Sequence, residues 1–185
     1  MSIAVVQPNI KQDDKFNLSP LTRLCAQLFS SSILWFQGIK IEVLDFRFIS
    51  SNIEVLNLPN IISFIFTLLW ISGITNAINW IDGMDGLAAG LILIISSSMA
   101  VFSFYLDNNL ALIFNSIFIG TSIVFLFFNL KPAKLIMGDA GSNLLGFNLA
   151  TLSIILFEGE KNIGILPFSL FLFFLPIIDM IRVIF

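Results

Sequence analysis

Apolar stretches long enough to cross a bilayer as helices recur along this chain of 185 residues, and nothing else in the sequence limits its fold so tightly. A crossing helix needs roughly 20 predominantly apolar residues, and a backbone in hydrocarbon must satisfy its own hydrogen bonds. Six segments fit that description: Leu21 to Gln37, Ile61 to Trp80, Leu87 to Tyr105, Leu110 to Phe128, Gly141 to Phe157 and Ile165 to Phe185. The first is the least apolar, because Arg23 and Gln27 sit near its start. Each is bounded by Gly, Pro, Asn, Asp or Lys suited to a water interface. The expected fold is therefore an all-α integral membrane protein, a polytopic bundle of about six transmembrane helices in one domain, 1–185. With 57% hydrophobic and 11% charged residues, the make-up lies outside that of a soluble domain. The net charge of -3 comes without a basic patch, so no electrostatic case for a nucleic-acid partner exists. Cys25 stands alone and can form no internal disulfide. Met1 to Gln12 lacks the basic-then-apolar pattern of a cleaved signal.

If the spans alternate in direction, the segments before Leu21, around Asn79 to Gly86, around Asn129 to Gly141 and after Phe185 share one face. That face carries Lys11, Lys15, Arg23, Lys131, Lys134 and Arg182, against Lys40, Arg47 and Lys161 on the other, so the positive-inside rule makes it cytoplasmic. Asp13, Asp14, Asp82, Asp85, Asp139 and Asp179 fall on the same face, while every Glu falls outside. Carboxylates beside long apolar spans are costly unless paired, hydrated or metal-bound, which marks the inner Asp residues as functional candidates. Between the first two spans, the alternation Ile39-Lys40-Ile41-Glu42-Val43 predicts a short interfacial strand or hairpin.

The most informative segment runs from Asn76 to Gly90, NAINWIDGMDGLAAG. Asp82 and Asp85 are three apart and can face one direction on a helical turn. Gly83 and Gly86 follow them, which lets the backbone leave the helix and approach a ligand. Asn76 and Asn79 repeat the spacing and offer amide donors and acceptors of the kind that read a nucleobase or a sugar. A plain polar turn would explain one Asp-Gly dipeptide; it accounts poorly for two with two Asn residues. A helix–loop–helix calcium site is excluded, because the Glu required at its twelfth position is missing.

A second constellation, FNLKPAKLIMGDAGS from Phe128 to Ser142, joins two spans on the same face. Pro132 stops the preceding helix, Gly138 and Gly141 leave room around Asp139, and Ser142 is expected to open the next helix. A helix N-terminus beside Lys131 and Lys134 suits a phosphate. Asp139 would repel that phosphate unless a divalent metal lay between them, and hard oxygen ligands favour magnesium, with manganese as the alternative. The third constellation, Asp13-Asp14 ahead of Ser19-Pro20, reads on its own as a solvated helix cap. Topology brings it to the face that holds the other two.

Together NAINWIDGMDGLAAG, FNLKPAKLIMGDAGSNLLG and DDKFNLSPLTRLCAQ resemble the successive motifs of the polyprenyl-phosphate N-acetylhexosamine-1-phosphate transferases, glycosyltransferase family 4. The resemblance runs in the family's order from Asp13 to Arg182, and PIIDMIR is similar to the family's last helix before a histidine loop. GDAGSNLLG and Ile136 resemble the UDP-GlcNAc:undecaprenyl-phosphate GlcNAc-1-phosphate transferase branch more than the phospho-N-acetylmuramoyl-pentapeptide transferase branch. The resemblance implies a bacterial plasma-membrane enzyme with its site facing the cytoplasm, and a UDP-N-acetylhexosamine and a polyprenyl phosphate lipid as substrates. It implies that Asp139 binds magnesium, that Asp82, Asp85, Asn76 and Asn79 shape the nucleotide-sugar site with support from Asn129, and that Asp13 and Asp14 face the lipid phosphate. Lys131 or Lys134 would screen negative charge. Oligomeric state, a homodimer included, is left open.

Two departures from the family pattern stand out. The family has further helices before its Asp-Asp pair and a histidine loop after its last helix here, whereas Met1 to Gln12 is a short polar lead and the chain has no His. The expectation is a fragment of the family fold that does not catalyse transfer alone. A transporter is the main rival from another class, but it predicts an inverted repeat that the sequence does not show; a non-catalytic or decayed homologue is the third reading.

Overall fold

The computed structural model describes residues 19–44, 56–157 and 165–184. Asp13 and Asp14 lie outside the described residues, as do Asp45, Glu54, Glu158 and Glu160. Seven helices and one two-stranded ladder make up the described part: α1 (Pro20–Phe36), β1 (Val43–Leu44), β2 (Leu56–Asn57), α2 (Asn60–Ile81), α3 (Leu87–Tyr105), α4 (Asn109–Asn129), α5 (Gly138–Ile155), α6 (Ile165–Leu172) and α7 (Phe174–Ile184). Three of these, α2, α3 and α4, are long and apolar enough to cross a membrane. The fold is an all-α membrane bundle, as the spans predict.

Local chemistry sets most boundaries. Pro20 occupies the first turn of α1 and the Ser19 side chain accepts from the Thr22 N–H at 3.2 Å, so Ser-Pro opens the helix as the sequence suggests. The last expected span is broken in two. Pro176 has no N–H to give the Leu172 carbonyl and its ring crowds that group, so the helix is interrupted at Phe173, while bonds from Phe173 to Ser169 and from Ile177 to Phe173 carry the chain on, each 2.9 Å. The predicted strand is shorter and shifted: Val43 pairs with Asn57 and Leu44 with Leu56, antiparallel. The preceding Ile41 is buried, and its N–H goes to Thr67 Oγ1 at 2.9 Å rather than to a ladder.

At the centre of the bundle stands α2, in contact with α1, α3, α5 and α7, while α4 packs mainly on α3 and leaves most of its surface facing outward. The buried face of α2 is built of small and hydroxyl-bearing residues: Ser63, Thr67, Ser72, Thr75 and Ala77 among isoleucines. In hydrocarbon the attraction between helices comes from close packing rather than from water exclusion, and small residues permit it. The hydroxyls of Thr67, Ser72 and Thr75 each donate to the carbonyl four residues back, at 2.6–2.8 Å, so their burial leaves no unmet donor. Two tryptophans bond across helices instead, Trp35 Nε1 to Ser63 Oγ at 3.1 Å and Trp70 Nε1 to Ser153 Oγ at 3.0 Å.

Helix α5 crosses α2 at close range. A Cβ placed on Gly146 would lie 3.0 Å from the Thr75 Cα, 3.1 Å from the Thr75 carbonyl oxygen and 3.1 Å from the Ile78 Cβ. Backbone cannot yield as a side-chain tip can. Gly146→Ala is expected to destabilise the bundle by about 1–3 kcal/mol and Gly146→Val by more, read as lowered melting temperatures in detergent. Gly120, with nothing within 4 Å of its would-be Cβ, should accept Ala with little change.

Candidate active site

The ends of six helices meet at one end of the bundle: the starts of α1, α3 and α5 and the finishes of α2, α4 and α7. Span parity predicts that meeting. Asp139 sits in the first turn of α5, where the helix dipole favours a carboxylate. One of its oxygens accepts from Asn79 Nδ2 of α2 at 3.1 Å, and the other is ion-paired with Arg23 of α1. Asn79 also donates to Ser142 Oγ at 2.8 Å. Ser142 does not open the helix: α5 begins at Gly138, whose φ of 69° a glycine adopts without strain, and Ser142 is fully buried in the second turn, donating to the Gly138 carbonyl at 3.0 Å.

Asp82 lies just past the end of α2 and accepts from the Gly138 N–H. Burial, then the charge of neighbouring Asp139, pushes its carboxyl from the ordinary 3.8 up to about 6, and the Gly138 bond offsets part of this. Arg23, Asn79, Asp82, Asp139 and Ser142 therefore form one cluster.

The remaining candidates are placed differently. One turn below Asn79, the Asn76 amide is taken up by its neighbours: Nδ2 donates to Gln27 Oε1 at 2.9 Å and to the Ser72 carbonyl at 2.8 Å. Gln27 in turn donates to Asn143 Oδ1 at 2.9 Å, and Asn143 to the Asp139 carbonyl at 2.6 Å. This amide layer, linking α1, α2 and α5, supports the cluster from beneath. Asn129 is buried and bridges two loops, accepting from the Gly86 N–H at 2.9 Å and donating to the Leu135 carbonyl at 2.8 Å. Gly86 needs to be glycine there, with φ 76° and the Leu130 side chain 3.2 Å from a would-be Cβ. Asp85 is exposed and accepts from the Ala133 N–H at 3.2 Å, tying the same two loops together. Lys131 and Lys134 are both exposed on the α4–α5 loop.

Arg23, Gln27 and Asn143 are the site residues that motif reading passes over. Their signal was present: Arg23 and Gln27 are four apart, on one face of an otherwise apolar span, where polar side chains demand partners.

Beside the cluster, the end of α2, the start of α3 and α7 enclose an open, mainly apolar groove of about 550 Å³, whose lining includes Trp80, Met84, Leu91, Leu175 and Ile178 together with Asp179 and Arg182. Among the described residues no three metal-ligating side chains come together. Magnesium does not need them, since it is commonly held by one or two carboxylates, water and substrate phosphates. Asp139, partly exposed with Asp82 beside it, fits that donor set.

The described residues form an apolar helical membrane bundle with carboxylates, carboxamides and a guanidinium gathered at one end. The chain belongs to glycosyl transferase family 4, whose family model matches residues 11–157. It is 38% identical over 143 residues to a probable undecaprenyl-phosphate N-acetylglucosaminyl 1-phosphate transferase of Bacillus subtilis, covering 77% of this chain and 39% of the relative. It is 48% identical over 92 residues to the phospho-N-acetylmuramoyl-pentapeptide-transferase of Lactobacillus acidophilus, covering 50% and 29% respectively. To that of Leuconostoc citreum it is 36% identical over 165 residues, covering 87% and 47%. The chain thus spans less than half the length of these curated relatives.

Asp82 gives the site a pH signature. Without metal, folded Asp82 keeps its proton up to about pH 6 whereas the unfolded chain releases it near 3.8, so in that window the folded state binds more protons. Stability is then expected to fall as pH rises from about 4 to 6. Thermal unfolding in detergent with EDTA should show this decline, and Asp82→Asn should flatten it.

Proposed function

We propose that the protein acts in the transfer of an N-acetylhexosamine 1-phosphate, foremost GlcNAc-1-phosphate, from a UDP-sugar to a polyprenyl phosphate, releasing UMP in a membrane step of cell-surface polysaccharide synthesis. The observation that carries the reading is the Arg23–Asp139–Asn79–Ser142 cluster beside an apolar groove, in a chain akin to a probable undecaprenyl-phosphate N-acetylglucosaminyl 1-phosphate transferase. A soluble nucleotide sugar and a lipid must meet where water and bilayer adjoin, and the cluster and the groove supply the two environments.

In the reaction a lipid phosphate oxygen attacks the β-phosphorus of the UDP-sugar; a new P–O bond forms, and the bond to the bridging oxygen breaks with that oxygen leaving on UMP. Positioning and charge neutralisation do most of the work in such transfers. Asp139, with Asp82 beside it, would hold magnesium or manganese, which when bound neutralises phosphate charge. Asn79 fixes the Asp139 carboxylate and Ser142 fixes Asn79. Lys131 and Lys134 are exposed toward an arriving anion, and the loop pair tied by Asn129 and Asp85 forms the wall on the nucleotide side. The apolar groove suits the first isoprene units of the acceptor, with Arg182 in its lining for the phosphate. Asp13 and Asp14 retain the lipid-phosphate role that the family resemblance implies.

Asp139→Asn in the full-length protein is expected to abolish magnesium-dependent release of UMP from UDP-GlcNAc with undecaprenyl phosphate, because a neutral amide cannot match the ion's charge. Asp107→Asn, in the α3–α4 turn at the opposite end, should leave the rate within about twofold. Equal rates for wild type and Asp139→Asn across a magnesium titration would sink the assignment. Transfer from UDP-MurNAc-pentapeptide but not from UDP-GlcNAc would move the protein to the other branch.

The site is proposed to face the cytoplasm of a bacterial plasma membrane, on the lysine and arginine bias of that end. In a Cys25→Ala background, Met84→Cys and Tyr105→Cys, at exposed positions bracketing α3, should label from the cytoplasmic and outer sides respectively. Labelling of both from one side would contradict the orientation.

A further inference from the structure

The geometry points to a second occupant for the metal-ligating carboxylate: Arg23 is the resident counter-ion of Asp139, and a divalent cation must compete with it. The inference rests on the metal reading of Asp139 proposed above and adds a control on how that metal is held.

Asp139 is spoken for in this structure. Arg23 Nη1 pairs with Oδ2, and Asn79 Nδ2 donates to Oδ1 at 3.1 Å. The partners are 116 residues apart in sequence and on different helices, so the contact depends on where α1 docks. That docking is specified one turn further along α1, where Gln27 reaches both Asn76 of α2 and Asn143 of α5. The Arg23 and Asp139 side chains are 33% and 41% exposed, which leaves the pair open to a hydrated ion.

A carboxylate offers about four lone-pair positions, so two hydrogen bonds alone do not block coordination. Charge does more. A guanidinium touching Asp139 lies within a few ångströms of any cation bound there, and repulsion at that range weakens the ion's affinity by about tenfold or more. Arginine stays protonated at every physiological pH, so proton loss does not relieve the competition. The free site is consequently held shut by an internal cation and binds metal weakly by itself. An arriving anion offsets the guanidinium charge, which couples metal loading to the presence of a phosphate-bearing ligand.

The test measures Mn2+ binding to the purified chain in detergent by electron paramagnetic resonance, with Mg2+ as competitor and no nucleotide present. Arg23→Gln is expected to bind Mn2+ about tenfold more tightly than wild type, Arg23→Lys to stay within about threefold, and Asp139→Asn to lose the site. Unchanged or weaker binding in Arg23→Gln, with the site still lost in Asp139→Asn, overturns the competition and leaves the metal reading standing. Wild-type binding in Asp139→Asn overturns both. Should Arg23→Gln not fold, the wild-type chain labelled with 15N at arginine Nε decides. Saturating Mg2+ is expected to shift the Arg23 resonance and leave that of Arg182 in place, and an unmoved Arg23 resonance rejects the proposal.

Discussion

Gly146 lets the α5 backbone come within contact of the α2 backbone at Thr75, and the polar end of the molecule depends on that approach. Two helices crossing there bring Asn79 and Ser142, each one turn nearer the surface, to 2.8 Å, and Asn79 and Asp139, the latter about two turns from Gly146, to 3.1 Å. A side chain wedged at the crossing would separate them, and hydrogen bonds weaken steeply with distance. The site is thus positioned by an apolar contact deeper in the bundle, where neither partner takes part in chemistry.

Much of this was legible in the sequence because hydrocarbon leaves a chain few options. Helix α3 was read at its observed bounds, and α2 and α4 to within a residue at each end, since a bilayer requires continuous helices between polar stops. The gathering of Asp82, Asp139 and Asn79 at one end follows from counting spans. What the sequence left unread depends on tertiary partners. Asn76 has the spacing of a ligand-reading residue, yet Gln27 from another helix claims its amide; periodicity within one helix cannot reveal a neighbour that arrives from another. Ser142 sits four residues inside its helix, because Gly138 opens the turn earlier than a capping serine would. Pro176 carries the break of the last span in plain view, but an uninterrupted apolar run masks it.

Charge at the site is balanced within the fold. Burial, then the charge of Asp139, raises the Asp82 carboxyl to about 6, and Arg23 is ion-paired with Asp139. At a membrane surface, where water is close on one side only, such internal neutralisation reduces the cost of placing two acids beside apolar helices.

Many of the buried polar residues of the bundle divide by where they send their bonds. Hydroxyls such as Ser72, Thr75 and Ser103 return theirs to their own helix and place no demand on a neighbour. Trp35 with Ser63, Trp70 with Ser153 and Gln27 with Asn76 and Asn143 join different helices. Greasy surfaces alone leave a helix free to spin about its long axis, because lipid and leucine are alike to it. Each of these bonds clamps that rotation, and α2, clamped to α1 near both of its ends and to α5 midway along, acts as the spindle against which its neighbours are indexed.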